Sequence, residues 1–497
     1  MVVTPRAQRA LIVLAIVLLA VIYSIAWLAP AVGLYHDDGV YLVTARSIAA
    51  GHGYMVDSLP NPVAQTKYPP VFPSLLALFS LVSMSAQWLK ILPMLCAFGW
   101  LYLTWQLLRK MGATANSAWF LVLVTAASPS VIFLNTNLMS ESLFGLLLTA
   151  SLLVLIDGRN PLLAGILAGL ATDTRIAGVP LIAAGIFTLL MRKRFYDAVK
   201  FTAGAAALAA PWFGWAAAHR SVEPYYGVAN YSSLNILTGG LLMGEKFRVL
   251  VFNILFLASA PYTIITGFSH ILAGGITALF ALYSFVYRRQ LVPDLFLGFY
   301  CLLLLTWAGP PQRFLVPVLP LVLWFIWRWM QDHWSTEAVA ALVVLALAVQ
   351  VFVDFQRVPA TLRSGVFAAT GQAIDEWPQM MRLCDYLRSE TPPESIVLAN
   401  LDPVIFLNTH RRAVRGFSPN GYDLFYSSTR RPVQALELLR SIETSKVNYV
   451  VLSPDRDFAE APGFLAAVLT LEREGKVEPV PISGLTSEYR LLKVTGY

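Results

Sequence analysis

The stretch YHDDGVYLVTARSIAAGHGY, Tyr35–Tyr54, lies shortly after the first long apolar run of the chain, Leu11–Pro30. Two adjacent carboxylates open the stretch, apolar residues recur along it at helical spacing, and two glycines close it. Aspartate is a preferred residue at a helix N-terminus, and glycine often ends a helix. We therefore predict an amphipathic helix that lies along the membrane surface, at the outer end of the first transmembrane span.

The composition of the 497 residues is typical of a membrane protein with a soluble tail. Hydrophobic residues make up 57% and charged residues 13%, against roughly 25% charged residues in an ordinary soluble domain. Residues 1–355 carry 20 Lys and Arg against 13 Asp and Glu, whereas residues 356–497 carry 16 of each. The three cysteines show no spacing typical of a zinc site or a disulfide framework. These features exclude a disordered chain and a conventional soluble enzyme, and they predict a membrane domain, 1–355, followed by a soluble domain, 356–497.

The apolar runs predict about eleven transmembrane helices. Arg6 and Arg9 precede the first run, so we expect a cytoplasmic N-terminus and an uncleaved helix rather than a cleaved signal peptide. The later basic clusters then fall on the same side of the membrane, which fits the positive-inside rule. The predicted spans are about 11–30, 90–108, 117–134, 141–156, 161–173, 177–191, 201–218, 268–287, 292–308, 314–330 and 337–354.

The segments between these spans include two long outer loops, 31–72 and 219–267. The first loop contains the predicted interfacial helix, and Val71–Met84 is too short and interrupted to cross a membrane. An odd number of crossings places the tail on the periplasmic or extracytoplasmic face. Alternating helical and strand patterns in the tail predict a small α/β domain, with helices near 380–390 and 432–446 and strands near 395–400, 447–454 and 488–494.

Further ionisable residues stand beside the predicted spans. Lys67 lies in TKYPPVFP, Glu141 in NTNLMSESLFGLL and Arg313 in GPPQRFLVP, all on the predicted outer face. Asp173 and Arg175 interrupt the apolar stretch ATDTRIAGVP. Each has a purely structural alternative: a snorkelling lysine, a carboxylate at a helix N-terminus, a surface arginine, or a local ion pair. Ionisable residues at membrane depth are nevertheless functional-site candidates.

In their order along the chain, these elements resemble the GT-C superfamily of polytopic glycosyltransferases. The nearest likeness is to the branch of protein O-mannosyltransferases and lipid A aminoarabinose transferases. The resemblance rests on HDDGVYLVTARSIAAGHG in the first outer loop, KYPPVFP after it, SESLFGLLL at the start of a later span, and RFLVP near the end of the membrane domain. The sequence differs from the branch in having Asp38 where glutamate is frequent and in having Tyr68 between Lys67 and the prolines.

The resemblance implies a fold, a reaction and a set of site residues. The fold is a polytopic α-helical membrane protein with a small C-terminal extracytoplasmic α/β domain, in the inner or plasma membrane. The reaction is transfer of a sugar from a polyprenyl phosphate-linked donor to an acceptor hydroxyl of an envelope lipid, glycan or protein. A divalent cation, Mg or Mn, near the acidic pair is an open expectation. The implied catalytic residues are Asp37 as base, with Asp38 and Glu141 to orient the acceptor or bind a divalent ion. The resemblance also implies Lys67, Arg313 and Arg175 at the donor phosphate, and Tyr41 and Tyr68 at the substrate.

Two other functional classes remain open from the sequence. A transporter or lipid flippase would use Asp173 and Arg175 as a relay inside the membrane, with the outer loops as gates. A non-catalytic scaffold would bind partners through its tail. The concentration of ionisable residues at the predicted outer interface favours interfacial chemistry over conduction. No basic face with interleaved aromatic residues is present, so we do not expect a nucleic-acid partner.

Overall fold

The computed structural model describes residues 5–219, 235–238, 241–267, 270–287, 290–309, 311–367, 376–416, 435–453 and 464–495. These residues divide into two compact units, and each is composed of several separate chain segments. The first unit comprises 1–29, 90–213 and 250–374, and the second comprises 30–89, 214–249 and 375–497. The predicted domain boundary at residue 355 follows composition and falls within the helix Thr336–Ser364.

The first unit is built from helices. A helix or a helix pair covers each of the eleven predicted spans. The helices are α1 Pro5–Leu28, α5 Ile91–Lys110, α6 Ala115–Ala126, α7 Pro129–Thr136, α8 Glu141–Asp157, α9 Pro161–Thr174, α10 Val179–Met191, α11 Phe195–Ala218, α12 Met243–Thr266, α13 Ile271–Tyr287, α14 Leu291–Leu305, α15 Gln312–Leu315, α16 Leu319–His333 and α17 Thr336–Ser364. Both α11 and α12 continue into the second unit at one end.

Several of these helices can cross a membrane by length and composition. Four meet both criteria within the described residues: Ala86–Lys110, Met243–Thr266, Gln312–His333 and Glu337–Ser364. The pair α6 and α7 is bent by 69° and would be a fifth span if it crosses as one. Other apolar helices are shorter, such as α9 with 14 residues. The structure thus has several membrane helices, and the number eleven stays a prediction.

The prediction of one long outer loop over residues 219–267 was wrong in its second half. Met243–Thr266 is a continuous helix of 24 residues and is apolar enough to span a membrane. Glu245, Lys246 and Arg248 lie in its first two turns and obscured the apolar run that follows. The side-chain amide of Asn253 donates to the carbonyl oxygen of Trp307 at 2.6 Å, which ties this helix to the chain beyond α14. Residues 220–234 and 239–240 lie outside the described residues.

Small residues bring α9 and α11 into backbone contact. Gly165 and Gly169 are four residues apart on α9, the spacing of small-residue packing motifs in membrane helices. A Cβ atom on Gly165 would lie 2.0 Å from the carbonyl oxygen of Phe201, and one on Gly169 would lie 2.7 Å from that of Ala205. Gly204 on α11 is equally close to the backbone of α9. Only glycine at these positions permits this approach.

The second unit begins with the first predicted outer loop. The loop, 31–72, folds into α2 (Asp37–Ala49) and a short hairpin of β1 (Met55–Val56) and β2 (Val63–Ala64), and it leads into α3 (Val71–Ser80) and the single turn α4 (Ala86–Leu89). The helix predicted from the acidic pair is therefore present as α2, and its position at the membrane surface stays a prediction. Helix α3 has ten residues and rises about 15 Å, roughly half the thickness of the hydrocarbon core.

The tail forms a five-stranded mixed sheet with helices on both faces. The strand order is β4-β3-β5-β7-β6, in which β3 is parallel to β4 and β5, and β7 is antiparallel to β5 and β6. Alternate residues of a strand, such as Val397 and Leu398, belong to hydrophobic clusters on opposite faces of the sheet. The elements are α18 Glu376–Glu390, β3 Ile396–Leu398, α19 Asp402–Thr409, β4 Arg412–Val414, α20 Ala435–Ser445, β5 Tyr449–Leu452, α21 Phe464–Arg473, β6 Val477–Val480 and β7 Arg490–Val494.

The contact between α9 and α11 leads to a stability prediction. Gly165→Ala places a methyl group against the backbone of Phe201, so the two helices must separate, at a cost of about 1–3 kcal/mol. We expect a lower thermal unfolding midpoint of the protein in detergent. Gly275→Ala is the matched control, because a Cβ atom at that helical position meets no atom within 4 Å. Equal midpoints for the two variants would contradict the packing.

Candidate active site

The second of the two adjacent acids, Asp38, is buried and fixed by the backbone. Its Oδ2 atom accepts the N–H of Gly33 at 2.5 Å, and its Oδ1 atom accepts the N–H of Tyr35 at 3.2 Å. The side chain thus closes the turn that leads into α2, and both acids lie in the first turn, where the helix dipole favours negative charge. Burial raises the pKa of Asp38 to about 6, and the backbone N–H donors oppose this rise.

The first acid, Asp37, is only half-buried, and a tyrosine hydroxyl holds it. The hydroxyl of Tyr68 donates to Asp37 Oδ1. The ring of Tyr68 packs edge to face against Tyr41, with centroids 4.8 Å apart, and Tyr41 packs in the same way on Phe72 at 5.1 Å. Tyr41 and Tyr68 are 2% and 4% exposed, so both phenol rings are set in the core of this unit. The aromatic cluster therefore fixes the orientation of the Asp37 carboxylate.

A buried glutamine organises the segment that carries Lys67. The Gln65 Oε1 atom accepts the backbone N–H of Lys67 at 2.9 Å and that of Tyr68 at 3.2 Å. Its amide nitrogen donates to Thr44 Oγ1 on α2 at 3.2 Å, and the indole N–H of Trp215 donates to its backbone carbonyl oxygen at 3.0 Å. Lys67 is 8% exposed, and its ammonium group lies 4.9 Å from the centroid of the Tyr68 ring. Asp37, Asp38, Tyr41, Lys67 and Tyr68 are thus brought together within one unit.

His36 connects this cluster to the tail. Its backbone has φ 58° and ψ −54°, and the carbonyl oxygen of Tyr35 accepts the N–H of Asp37 at 2.6 Å. The three residues form a γ-turn with positive φ at its centre, which is rare and strained for a residue other than glycine. The imidazole is fully buried and lies 3.6 Å from Asp402, which accepts from Arg415 Nε at 3.2 Å. Burial, Arg415 and Lys67 hold the pKa of His36 well below its usual range, so the ring is neutral.

The first unit holds a separate ionic cluster around Glu141. Glu141 opens α8, is 2% exposed, and accepts through Oε1 from Arg175 Nη1 at 2.9 Å and from Arg313 Nε at 2.5 Å. Arg175 follows the last residue of α9 in extended conformation and also donates to Ser140 Oγ at 2.9 Å. Its guanidinium lies 5.1 Å from the centroid of the Phe314 ring. Three residues predicted from separate motifs therefore form one ionic cluster.

The two arginines of the Glu141 cluster differ in access. The side chain of Arg175 is 7% exposed, whereas that of Arg313 is 30% exposed. Arg313 Nη2 also lies 3.3 Å from the sulfur of Met139. One carboxylate thus contacts two guanidinium groups, and that of Arg313 lies at an accessible surface. This arrangement suits an anionic group such as phosphate.

Sequence reasoning missed four residues of these surroundings: Gln65, His36, Asp402 and Arg415. His36 precedes the acidic pair in the quoted stretch, but the neighbouring residues do not indicate that it adopts a strained γ-turn. Asp402 and Arg415 lie more than 360 residues further along the chain, in segments that the pattern describes only as soluble α/β. Their role depends on a tertiary contact, and no local pattern reports such a contact.

A divalent cation at the acidic pair was an expectation of the resemblance, and it stays a prediction. The two oxygens of Asp38 accept backbone N–H groups, and Oδ1 of Asp37 accepts the Tyr68 hydroxyl. Among the described residues, no group of three or more His, Cys, Asp or Glu side chains is placed to hold a metal ion.

The environment of Asp38 predicts a pH-dependent stability. Its pKa is about 6 in the folded protein against an ordinary value of 3.8, so the folded state binds the proton more tightly. This contribution to the unfolding free energy is present below pH 4 and is lost as the pH rises through 6, by up to about 3 kcal/mol. In Asp38→Asn the group cannot titrate. Between pH 4 and 7 the thermal midpoint of the native protein should fall relative to that of the variant, whereas parallel curves would refute the assignment.

Comparison with known proteins identifies the fold. No known protein family matches the sequence, and no curated protein matches it significantly. ArnT from Cupriavidus metallidurans bound to undecaprenyl phosphate has a similar structure, with a TM-score of 0.60 at 13% identity over 97% of both chains. Apo ArnT gives 0.59 at 13% identity over 98% of both chains. The mycobacterial arabinofuranosyltransferase AftD gives 0.44 at 16% identity over 96% of this chain and 41% of its own, which is too low to establish a shared fold.

The likeness to ArnT extends over nearly the whole length of both chains, so the two units described above are both part of the shared architecture. It agrees with the resemblance drawn from the ordered sequence motifs. The chain has the fold of ArnT.

Proposed function

We propose that the protein is a glycosyltransferase that moves a sugar from a polyprenyl phosphate-linked donor to an acceptor hydroxyl. The observation that carries this proposal is the accessible, oriented carboxylate of Asp37 in a chain with the fold of ArnT, a protein whose structure binds undecaprenyl phosphate. We also propose the orientation that the sequence predicts, with a cytoplasmic N-terminus and the reaction on the outer face. The sugar and the acceptor lie beyond this proposal.

Asp37 is the better base of the two adjacent acids. A general base must come within about 3 Å of the proton that it removes. Asp38 is buried and both of its oxygens accept backbone N–H groups, whereas Asp37 is half-exposed and one oxygen accepts the Tyr68 hydroxyl. Asp37 would take the proton of the acceptor hydroxyl as that oxygen attacks the anomeric carbon. Asp38 then fixes the turn that presents Asp37, and its role is indirect.

The phosphate of the leaving lipid needs fixed positive charge, because its negative charge grows in the transition state. Arg313 is our first candidate, since its partly exposed guanidinium is already oriented by Glu141. Arg175 is more deeply buried and would hold Glu141 in place while adding to the local positive potential. Lys67 is a separate candidate for contact with a phosphate group. Glu141 thereby acts on the arginines and need not contact the acceptor.

The two tyrosines have different proposed roles. Tyr68 contacts Asp37 directly, so it orients the base and lies next to the reacting hydroxyl. Tyr41 is 2% exposed and packs between Tyr68 and Phe72, so it has almost no surface with which to bind substrate. We assign Tyr41 to the support of Tyr68.

Replacement of the base tests the reaction. Asp37→Asn preserves the size and one acceptor oxygen but removes the basic group, so we expect transfer to fall at least about 100-fold. Mass spectrometry of polyprenyl phosphate lipids from the cells should show one glycosylated carrier accumulating in the variant. Asp57→Asn, in the same loop, is the control and should leave the carrier pool unchanged. An unchanged pool in Asp37→Asn, with folded protein in the membrane, would favour the transporter alternative.

Replacement of the accessible arginine tests phosphate binding. Arg313→Ala removes a charge-assisted contact, so the Kd for undecaprenyl phosphate should rise about 10-fold or more, whereas Arg313→Lys should retain part of the affinity. Binding is measured by titration of the purified protein in lipid nanodiscs. Arg363→Ala, which removes an exposed arginine at the end of α17, is the control. Equal affinity in Arg313→Ala and wild type would remove Arg313 from the site.

A further inference from the structure

The turn before Asp37 holds the backbone in a conformation that the local sequence does not favour. His36 adopts φ 58° and ψ −54°, and the adjoining N–H of Asp37 is engaged by the carbonyl oxygen of Tyr35. A strained conformation persists only where the surroundings enforce it, and such conformations cluster at functional sites. Asp37, the last residue of this turn, is the proposed base. The turn therefore sets the position of the Asp37 backbone and the direction of its side chain.

Chain segments of the tail surround this turn. Asp402 opens α19 and is fully buried, and its Oδ1 atom lies 3.6 Å from His36 Nε2 and 3.2 Å from Arg415 Nε. Because His36 is neutral, the charge of Asp402 is balanced by Arg415. The imidazole therefore lies against a buried carboxylate that is held by Arg415.

Helix α19 also packs closely against the backbone of α2 and of the turn before it. A Cβ atom on Gly33 would lie 2.8 Å from the side chain of Val404, and one on Gly39 would lie 2.7 Å from that of Pro403. Further along α2, Arg46 donates through Nη1 to the carbonyl oxygen of Leu407 at 3.2 Å. Helix α19 thus follows α2 from the turn before it to its last turn, and the register between them is sterically fixed.

We propose that Asp402 and Arg415 are positioning residues that set the Asp37 carboxylate through His36, which makes the tail a working part of the active site. This inference rests on the proposed function of Asp37. The tail neither binds the donor nor supplies the base in this scheme. Its buried ion pair packs against the imidazole at 3.6 Å, His36 lies at the centre of the strained turn, and the turn directs Asp37 toward the acceptor hydroxyl.

The test compares variants of the pair in the full-length protein. Asp402→Asn removes the charge at nearly constant volume, the double variant Asp402→Asn/Arg415→Gln removes both charges, and Asp402→Glu keeps the charge. Asp385→Asn is the matched control, because Asp385 pairs with Arg388 on an exposed face of α18 in the same tail. The donor probe is the glycosylated carrier lipid isolated from Asp37→Asn cells, and membranes from cells lacking the protein supply the acceptor.

A positioning role predicts a split between the kinetic constants. For Asp402→Asn and for the double variant, kcat should fall at least about 10-fold while KM for the carrier lipid stays within about twofold. Asp402→Glu should recover part of kcat, and Asp385→Asn should match wild type. Thermal unfolding of each variant in detergent measures the folded fraction, to which the rates are normalised.

Three results would overturn the inference. The first is a wild-type kcat in folded Asp402→Asn, and the second is a change confined to KM. The third is loss of folded protein in all three Asp402 variants, because the ion pair would then serve stability alone. Failure of the proposed function gives a different result. Asp37→Asn cells would then accumulate no glycosylated carrier lipid, and wild-type protein would release no undecaprenyl phosphate from such a lipid.

Discussion

Buried charge must be neutralised by the protein itself, and this constraint governs every polar feature of a chain that is 57% hydrophobic. Glu141 satisfies two arginines, and Asp402 is paired with Arg415. A backbone carbonyl contributes in the same way: the ammonium group of Lys90, fully buried, donates to the carbonyl oxygen of Ala29 at 2.6 Å. The contacts of Glu141 and Lys90 join segments far apart in the sequence, so these charges also fix the tertiary arrangement.

The same constraint gives two adjacent aspartates different properties. Asp38 lies inside the protein and is satisfied by backbone N–H groups, which leaves it little capacity to react with a substrate. Asp37 is one residue away on the same helical turn, but it points to a half-buried position and meets a phenol hydroxyl. A difference of one residue in a helix rotates the side chain by about 100°, which is enough to separate a structural acid from a chemical one.

Packing in each unit follows from the size and spacing of apolar residues. In the first unit, glycines at positions 165 and 169 allow two helices to touch through their backbones, as expected where helices have no hydrophobic drive to associate in lipid. In the second unit, alternation along the strands sends neighbouring side chains to opposite faces of the sheet, and each face is covered by helices. The α2 helix belongs to this second unit by its contacts, although it follows the first apolar helix in sequence.

The sequence alone determined the helices of the membrane part, the helix after the first apolar run, the α/β alternation of the tail and a set of acids and cations. These features are local: they depend on hydrophobic periodicity, turn residues and charge, which a short window of sequence reports. The amphipathic start of Met243–Thr266 hid one helix because charges within a window lower its hydropathy. Only the tertiary structure decided which of two adjacent acids is accessible, that Glu141 holds Arg175 and Arg313, and that Asp402 meets His36 across more than 360 residues. Such pairings are set by burial and by the need to neutralise charge, and both exist only once distant segments have packed together.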